Sequence, residues 1–216
     1  MAEVSGGRHW EDYYHSGNVP ALPSQFAVFA LGECPADIII DVGCGNGRDS
    51  LYFARRNIPT LGIDASEKAM AVCEAKAASE KLDHAVFMRS DVAAPDLAKR
   101  IREHVGETQR SVLLYSRFFL HAIDEQHQDA FFSLARALMK NRPGWIALEF
   151  RTPADAVRQK VTPDHYRRYV PMDGVLAASE GAGFVTLYSV EGRGMAKYKA
   201  DDAYVGRVLA RTEALR

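Results

Sequence analysis

The sequence predicts an α/β fold: a doubly wound, mostly parallel sheet of seven strands, the last of them antiparallel. Three observations carry that expectation. Short β-branched runs alternate with helical segments along most of the chain, the order in which crossover helices join parallel strands. The first run ends in glycine at every second position, Gly43, Gly45 and Gly47, where a strand can turn tightly into a helix. Near the end, two β-rich runs flank a short glycine-containing turn, which reads as a hairpin.

In order, the opening segment "HWEDYYHSGNVPALPSQFAVFAL" mixes aromatics with turn residues and ends in a short helix. "DIIIDVG" is a buried parallel strand, and "GRDSLYFARRN" the helix after it. "PTLGIDAS" is a second strand. "SEKAMAVCEAKAASEKL" is a long helix with Ser66 as its N-cap and Glu67 in its first turn. "HAVFMRSDV" is a third strand, and "PDLAKRIREHV" a helix begun by proline. "SVLLYSRFFLHAI" begins as a fourth strand, "DEQHQDAFFSLARALMKN" is a helix ended by "RPGW", and "WIALEFR" is a fifth strand. "MDGVLAASEGAGF" is a helix closed by glycine. "FVTLYSVEG" and "MAKYK" form the hairpin, and "DDAYVGRVLARTEAL" is expected as a terminal helix.

The 216 residues, 47% hydrophobic and 25% charged, suit one domain over 1–216. Within it, 1–30 is expected as an N-terminal cover segment and 152–172 as an acceptor-side insertion. No apolar run approaches the roughly 20 residues of a membrane span, and the N-terminus has no secretory pattern. A net charge of −1 gives no electrostatic reason to expect nucleic acid or an anionic membrane as partner. Three cysteines, Cys34, Cys44 and Cys73, fit neither a disulfide framework nor a zinc spacing, so no metal is expected and the setting is read as cytoplasmic. Oligomeric state is left open.

The glycine turn bears on the kind of cofactor. Its spacing is G-x-G-x-G, not the G-x-G-x-x-G of dinucleotide enzymes, and Asp41 stands two residues before the first glycine. That suits a cofactor with a cationic amino-acid end better than one with a pyrophosphate. Asp64 ends the second strand, placed for ribose hydroxyls, and Asp91 ends the third, where an acceptor meets an adenine amino group.

"DVGCGNGRDS", "GIDAS" and "SDV", in this order, resemble the class I S-adenosylmethionine-dependent methyltransferases, and the final hairpin is similar to that family's reversed seventh strand. The resemblance implies the Rossmann-like methyltransferase fold and S-adenosyl-L-methionine as cofactor. It places Asp41, Gly43, Gly45 and Gly47 at the methionine part, Asp64 and Ala65 at the ribose, and Asp91 and Val92 at the adenine. Trp10 and Tyr14 resemble the aromatic cover of small-molecule members, including those similar to the thiopurine and tellurite methyltransferases. The later segments are loosely similar to bacterial glycan-pathway methyltransferases.

Ligands of open α/β sheets lie beyond the carboxyl ends of the strands. There, "SRFFLHAI" supplies Ser116 toward the cofactor and Arg117, Phe118 and His121 toward the acceptor. "LEFR" brings Glu149 and Arg151. The insertion brings Lys160, His165, Tyr166, Arg167 and Arg168, and the last strand brings Lys197. Guanidinium groups match carboxylates and phosphates, so the expected acceptor is an anionic small molecule or a glycan-linked group. O-methylation is preferred, with His121 as base and His165 in reserve. The alternatives are S- or N-methylation, or a non-catalytic cofactor-binding subunit.

Overall fold

A computed structural model describes residues 22–106, 110–156, 166–198 and 201–212. The elements are α1 (Gln25–Glu33), β1 (Ile38–Val42), α2 (Arg48–Ala54), β2 (Thr60–Asp64), α3 (Glu67–Ser79), β3 (Ala85–Arg89), α4 (Leu97–Val105) and β4 (Val112–Arg117). They continue with α5 (Glu125–Met139), β5 (Gly144–Arg151), α6 (Met172–Gly181), β6 (Phe184–Gly192), β7 (Lys197–Tyr198), β8 (Asp201–Asp202) and β9 (Val205–Thr212). Seven strands form one sheet in the order β3-β2-β1-β4-β5-β9-β6. The first five in that row are parallel, and β9 is antiparallel to both of its neighbours.

The period-2 pattern of the strands explains why helices cover both faces. Ile39 points to one side, where it packs with Phe26 of α1, Phe53 of α2 and Tyr115 of β4. Ile38, Ile40 and Val42 point to the other, onto Ile101 of α4, Phe131 of α5 and Val175 of α6. Side-chain caps start three of the helices: Ser24 accepts from the Ala27 N–H at 2.9 Å, Ser66 from Ala69 at 3.1 Å and Asp124 from His127 at 2.9 Å. The winding reverses between β1 and β4, so the loops leaving these adjacent strands diverge and open a crevice at their carboxyl ends.

The end of the chain departs from expectation in two ways. Residues 205–212 form a strand, not the expected terminal helix, and this strand pairs with β6. "MAKYK" does not pair with β6; Lys197 and Tyr198 make a two-residue ribbon with Asp202 and Asp201. The spacing of Val205, Val208 and Leu209 is compatible with a helix, but the slot between β5 and β6 requires a strand buried on both faces. Val205, Val208, Leu209 and Ala210 fill it. Gly206 makes room, since a Cβ there would lie 2.8 Å from Met172 and 2.9 Å from Phe150. Tertiary packing overrides local propensity at this point.

Candidate active site

The loop from β1 to α2 lies at the mouth of the crevice. Gly43, Gly45 and Gly47 all have left-handed backbone, with φ of +76°, +54° and +73°. The protein itself occupies part of the space the missing side chains leave. A Cβ on Gly43 would sit 2.4 Å from the Phe119 ring, and one on Gly47 would sit 2.7 Å from Cys73 Sγ. The Gly45 N–H donates to Asp64 Oδ2 at 3.0 Å, and its carbonyl accepts from Cys73 Sγ at 3.2 Å. These glycines therefore serve the packing of the protein itself. Phe119, arriving from β4, closes the loop against its own backbone.

Acids sit at the tips of three adjacent strands, as the sequence predicts. Asp41 is buried and accepts from the Ser50 hydroxyl at 2.6 Å. Burial, with the charges of Asp49 and Asp64 adding to it, pushes its pKa up to about 8. Asp64 is half-buried, its two oxygens held by the N–H groups of Gly45 and Ser66, at 3.0 Å each; Ala65 beside it is exposed. Asp91 is exposed, accepts from the Ala93 N–H at 2.7 Å and lies 3.5 Å from His127 Nε2, while Val92 is buried. A hydrogen bond to Asp124 raises the pKa of His127, with the nearby charge of Asp91 contributing.

This donor set fits S-adenosylmethionine. Asp41 is a buried acid whose pKa burial raises to about 8, and a cationic amino-acid end beside it would favour its charged form. Asp64 is oriented by two backbone donors and is only half-buried, a placement that suits an acceptor of ribose hydroxyls.

The side expected to face an acceptor looks different from its sequence. Ser116 donates its hydroxyl to the Val42 carbonyl at 2.9 Å, tying β4 to β1. Arg117 donates through Nε to Glu149 Oε1 at 2.7 Å, and Arg207 of β9 donates to the other oxygen at 2.7 Å. Phe118 has φ of +57°, uncommon for a bulky side chain. Its N–H donates to the Glu149 carbonyl at 2.7 Å, and Arg117 lies 4.2 Å above its ring. Arg151 is buried, with one terminal nitrogen on Asp155 at 2.5 Å and the other on Asp201 at 2.6 Å. Against the cost of burial, those two hydrogen bonds raise its pKa. It clamps the turn after β5 to the ribbon and does not present its guanidinium to an acceptor.

His121 also departs from its expected role. It is buried on the edge of the Phe118 ring, 5.2 Å between centroids, and its Nδ1 accepts from the Arg151 N–H at 3.2 Å. A neutral imidazole that accepts at Nδ1 carries its proton on Nε2, so it has no second lone pair for a base. The reason lies in the fold: the short 3-10 turn Leu120–Ala122 turns the ring back beneath β5. Arg168 likewise braces this turn, donating to the carbonyls of Ile123 at 3.2 Å and Leu120 at 3.5 Å and to Gln128. Tyr166 is exposed, Arg167 half-buried, and Lys197 lies exposed on the ribbon. Trp10, Tyr14, Lys160 and His165 fall outside the described residues.

Sequence reasoning missed Arg48, Asp49, Asp155, Asp201 and Arg207 as participants. Arg48 and Asp49 stand inside the quoted motif and were within reach, since they directly follow Gly47. Arg207 was hidden by reading its segment as helix.

Residues 39–142 match the family model described as "Methyltransferase domain". A probable cobalt-precorrin-6B C(15)-methyltransferase (decarboxylating) from Methanococcus maripaludis is 26% identical over 104 residues, covering 45% of this chain and 56% of that protein. This chain thus spans little more than half the length of that relative. Among solved structures, an S-adenosylmethionine-dependent methyltransferase from Anabaena variabilis superimposes with a TM-score of 0.70 at 17% identity, over 98% of this chain and 96% of the other. The glycopeptide N-methyltransferase MtfA, solved with S-adenosyl-L-methionine, does so with a TM-score of 0.64 at 14% identity, over 91% and 90%. At such identities the superpositions establish the fold.

Proposed function

On the premise that residues 39–142 form a methyltransferase domain of the class I S-adenosylmethionine-dependent family, we propose that this chain is an enzyme that methylates an anionic small molecule or glycan-linked group. The observation that carries the reading is the row of Asp41, Asp64 and Asp91 at three adjacent strand tips beside the glycine loop. Asp64 with Ala65 would hold the ribose, Asp91 with Val92 the adenine, and Asp41 with the loop the methionine end. When bound, the cofactor supplies an activated methyl group on a sulfonium.

Much of the rate then comes from holding the acceptor in line. Arg117 is the acceptor-side cation best placed for this, since Glu149 uses only its Nε. Because the His121 lone pair is committed, O-methylation is proposed for acceptors whose oxygen is already ionised, which need no base. Thiolates meet the same condition, and S- or N-methylation is the alternative.

The test is transfer of a tritiated methyl group from S-adenosylmethionine to matched ionised and neutral phenols, thiols and carboxylic acids, alongside cofactor binding by calorimetry. Uptake by ionised acceptors is expected. Cofactor binding with uptake by no acceptor would instead support a non-catalytic binding subunit, and absence of cofactor binding would overturn the reading.

A further inference from the structure

The acid just past the end of β3 is held by one oxygen only. Asp91 Oδ1 accepts from the Ala93 N–H at 2.7 Å and faces His127 Nε2 of α5 at 3.5 Å. Among the described residues, no hydrogen bond or ion pair reaches Oδ2, and the side chain is 55% exposed. Both holders thus act on the same oxygen, which limits rotation of the carboxylate and leaves the other oxygen open to a ligand. The contact with Ala93 is a local turn. The contact with His127 exists only because α5 starts beside the tip of β3.

His127 is itself held from its other side. Asp124 Oδ1 lies 2.6 Å from Nδ1 and also accepts the His127 backbone N–H at 2.9 Å. A carboxylate at that distance takes the proton of Nδ1 as a hydrogen bond, whatever the charge of the ring. When the ring is an imidazolium, Nε2 carries a second N–H and directs it at Asp91. When the ring is neutral, Nε2 has a lone pair facing a carboxylate oxygen, and attraction turns into repulsion. The hydrogen bond to Asp124 raises the pKa of His127 above the usual 6.5; burial opposes it, and the charge of Asp91 adds to it. The nearby cations are engaged elsewhere. Arg168 bonds Gln128 and lies 3.7 Å from Glu125, and Arg100 of α4 donates to the Ser90 hydroxyl at 3.3 Å and the Arg89 carbonyl at 3.2 Å.

We propose that His127, as an imidazolium, is a positioning residue for adenine recognition: it holds Asp91 by one oxygen so that the other meets the exocyclic amino group. This rests on the methyltransferase reading above. His127 touches no reacting atom. It ties selection of an amino-bearing purine to pH, because the grip on Asp91 is lost as the ring gives up its proton.

Calorimetry from pH 6 to 9 compares S-adenosylhomocysteine with its 6-deamino analogue, in which hydrogen replaces the adenine amino group. Both ligands share the amino-acid end, so the titration of Asp41 cancels in the ratio of their affinities. Wild type should prefer S-adenosylhomocysteine at least fivefold at pH 6, and the preference should shrink at least threefold by pH 9. His127→Gln places an uncharged donor near the position of Nε2, so it should keep part of the preference with no slope in pH. His127→Ala, which retains the backbone bond to Asp124, should have little preference at any pH. A wild-type preference that does not change with pH would overturn the proposal, as would a wild-type slope in His127→Gln. Equal weakening of both ligands by His127→Ala would also overturn it, since support of the helix alone would act that way. Tight binding of both ligands by wild type without preference would overturn the role of His127 and leave the methyltransferase reading standing. Wild type that binds neither ligand would sink that reading and the proposal with it.

Discussion

The two halves of the sheet build their chemistry in opposite ways. On the β1–β3 side, each acid sits at or near the end of a strand, and backbone or a near neighbour holds it. Asp64 is fixed by the N–H groups of Gly45 and Ser66, and Asp41 by Ser50. On the β4–β5–β9 side, charged groups hold one another across long stretches of chain. Glu149 joins Arg117 to Arg207, and Arg151 joins Asp155 to Asp201. One half displays its charges and the other consumes most of its own. A strand-tip residue can therefore be read as a ligand group only after its partners have been counted.

The largest expected effect breaks this comparison at Glu149. Its carboxylate is buried between two guanidiniums, so Glu149→Ala leaves two buried cations without their counter-ion. The loss of stability should be about 3–5 kcal/mol, read from urea denaturation. A loss below about 1 kcal/mol, the range of exposed pairs, would mean that the β4–β5–β9 half does not depend on its ion pairs.

A smaller effect is expected at Gly43, where it tests whether the loop is bare for its own packing. Gly43→Ala forces a Cβ against Phe119 in left-handed backbone and should cost about 1–3 kcal/mol. In a double-mutant cycle, Phe119→Leu should relieve part of that cost. Strict additivity of the two changes would remove Phe119 as the reason for the glycine.

A third effect is a pH dependence set by Asp41. Its folded pKa of about 8 lies above the unfolded value of about 3.9, so the folded state holds the proton more tightly. That contribution to stability is complete below pH ~4 and is lost as pH rises through ~8. Asp41→Asn should flatten this slope in denaturation curves taken from pH 5 to 8.5. A cationic cofactor end should also favour the ionised form, so wild-type binding at pH 7 should release a proton. Calorimetry in two buffers of unlike ionisation heat measures that release, and Asp41→Asn should abolish it.

How much could be read from the chain follows the same division. The alternating order of elements, the cap at Ser66 and the acids at the three strand tips depend on residues a few positions apart, and they are legible in the sequence. Arg151 and His121 stand at the right edge of the sheet, yet their hydrogen-bond partners, 4 to 50 residues away, turn them from ligand groups into supports. The local pattern of residues 205–212 permits a helix, and only the vacancy between β5 and β6 makes it a strand.

By itself, then, the sequence determined the doubly wound order, the left-handed glycine turn and the chemical type presented at each strand tip, because short-range sterics and hydrogen bonding set these. The tertiary structure alone decided which charges are cancelled and which remain. Electrostatic pairing depends on distances between residues far apart in the chain, and those distances exist only once the sheet has closed around them.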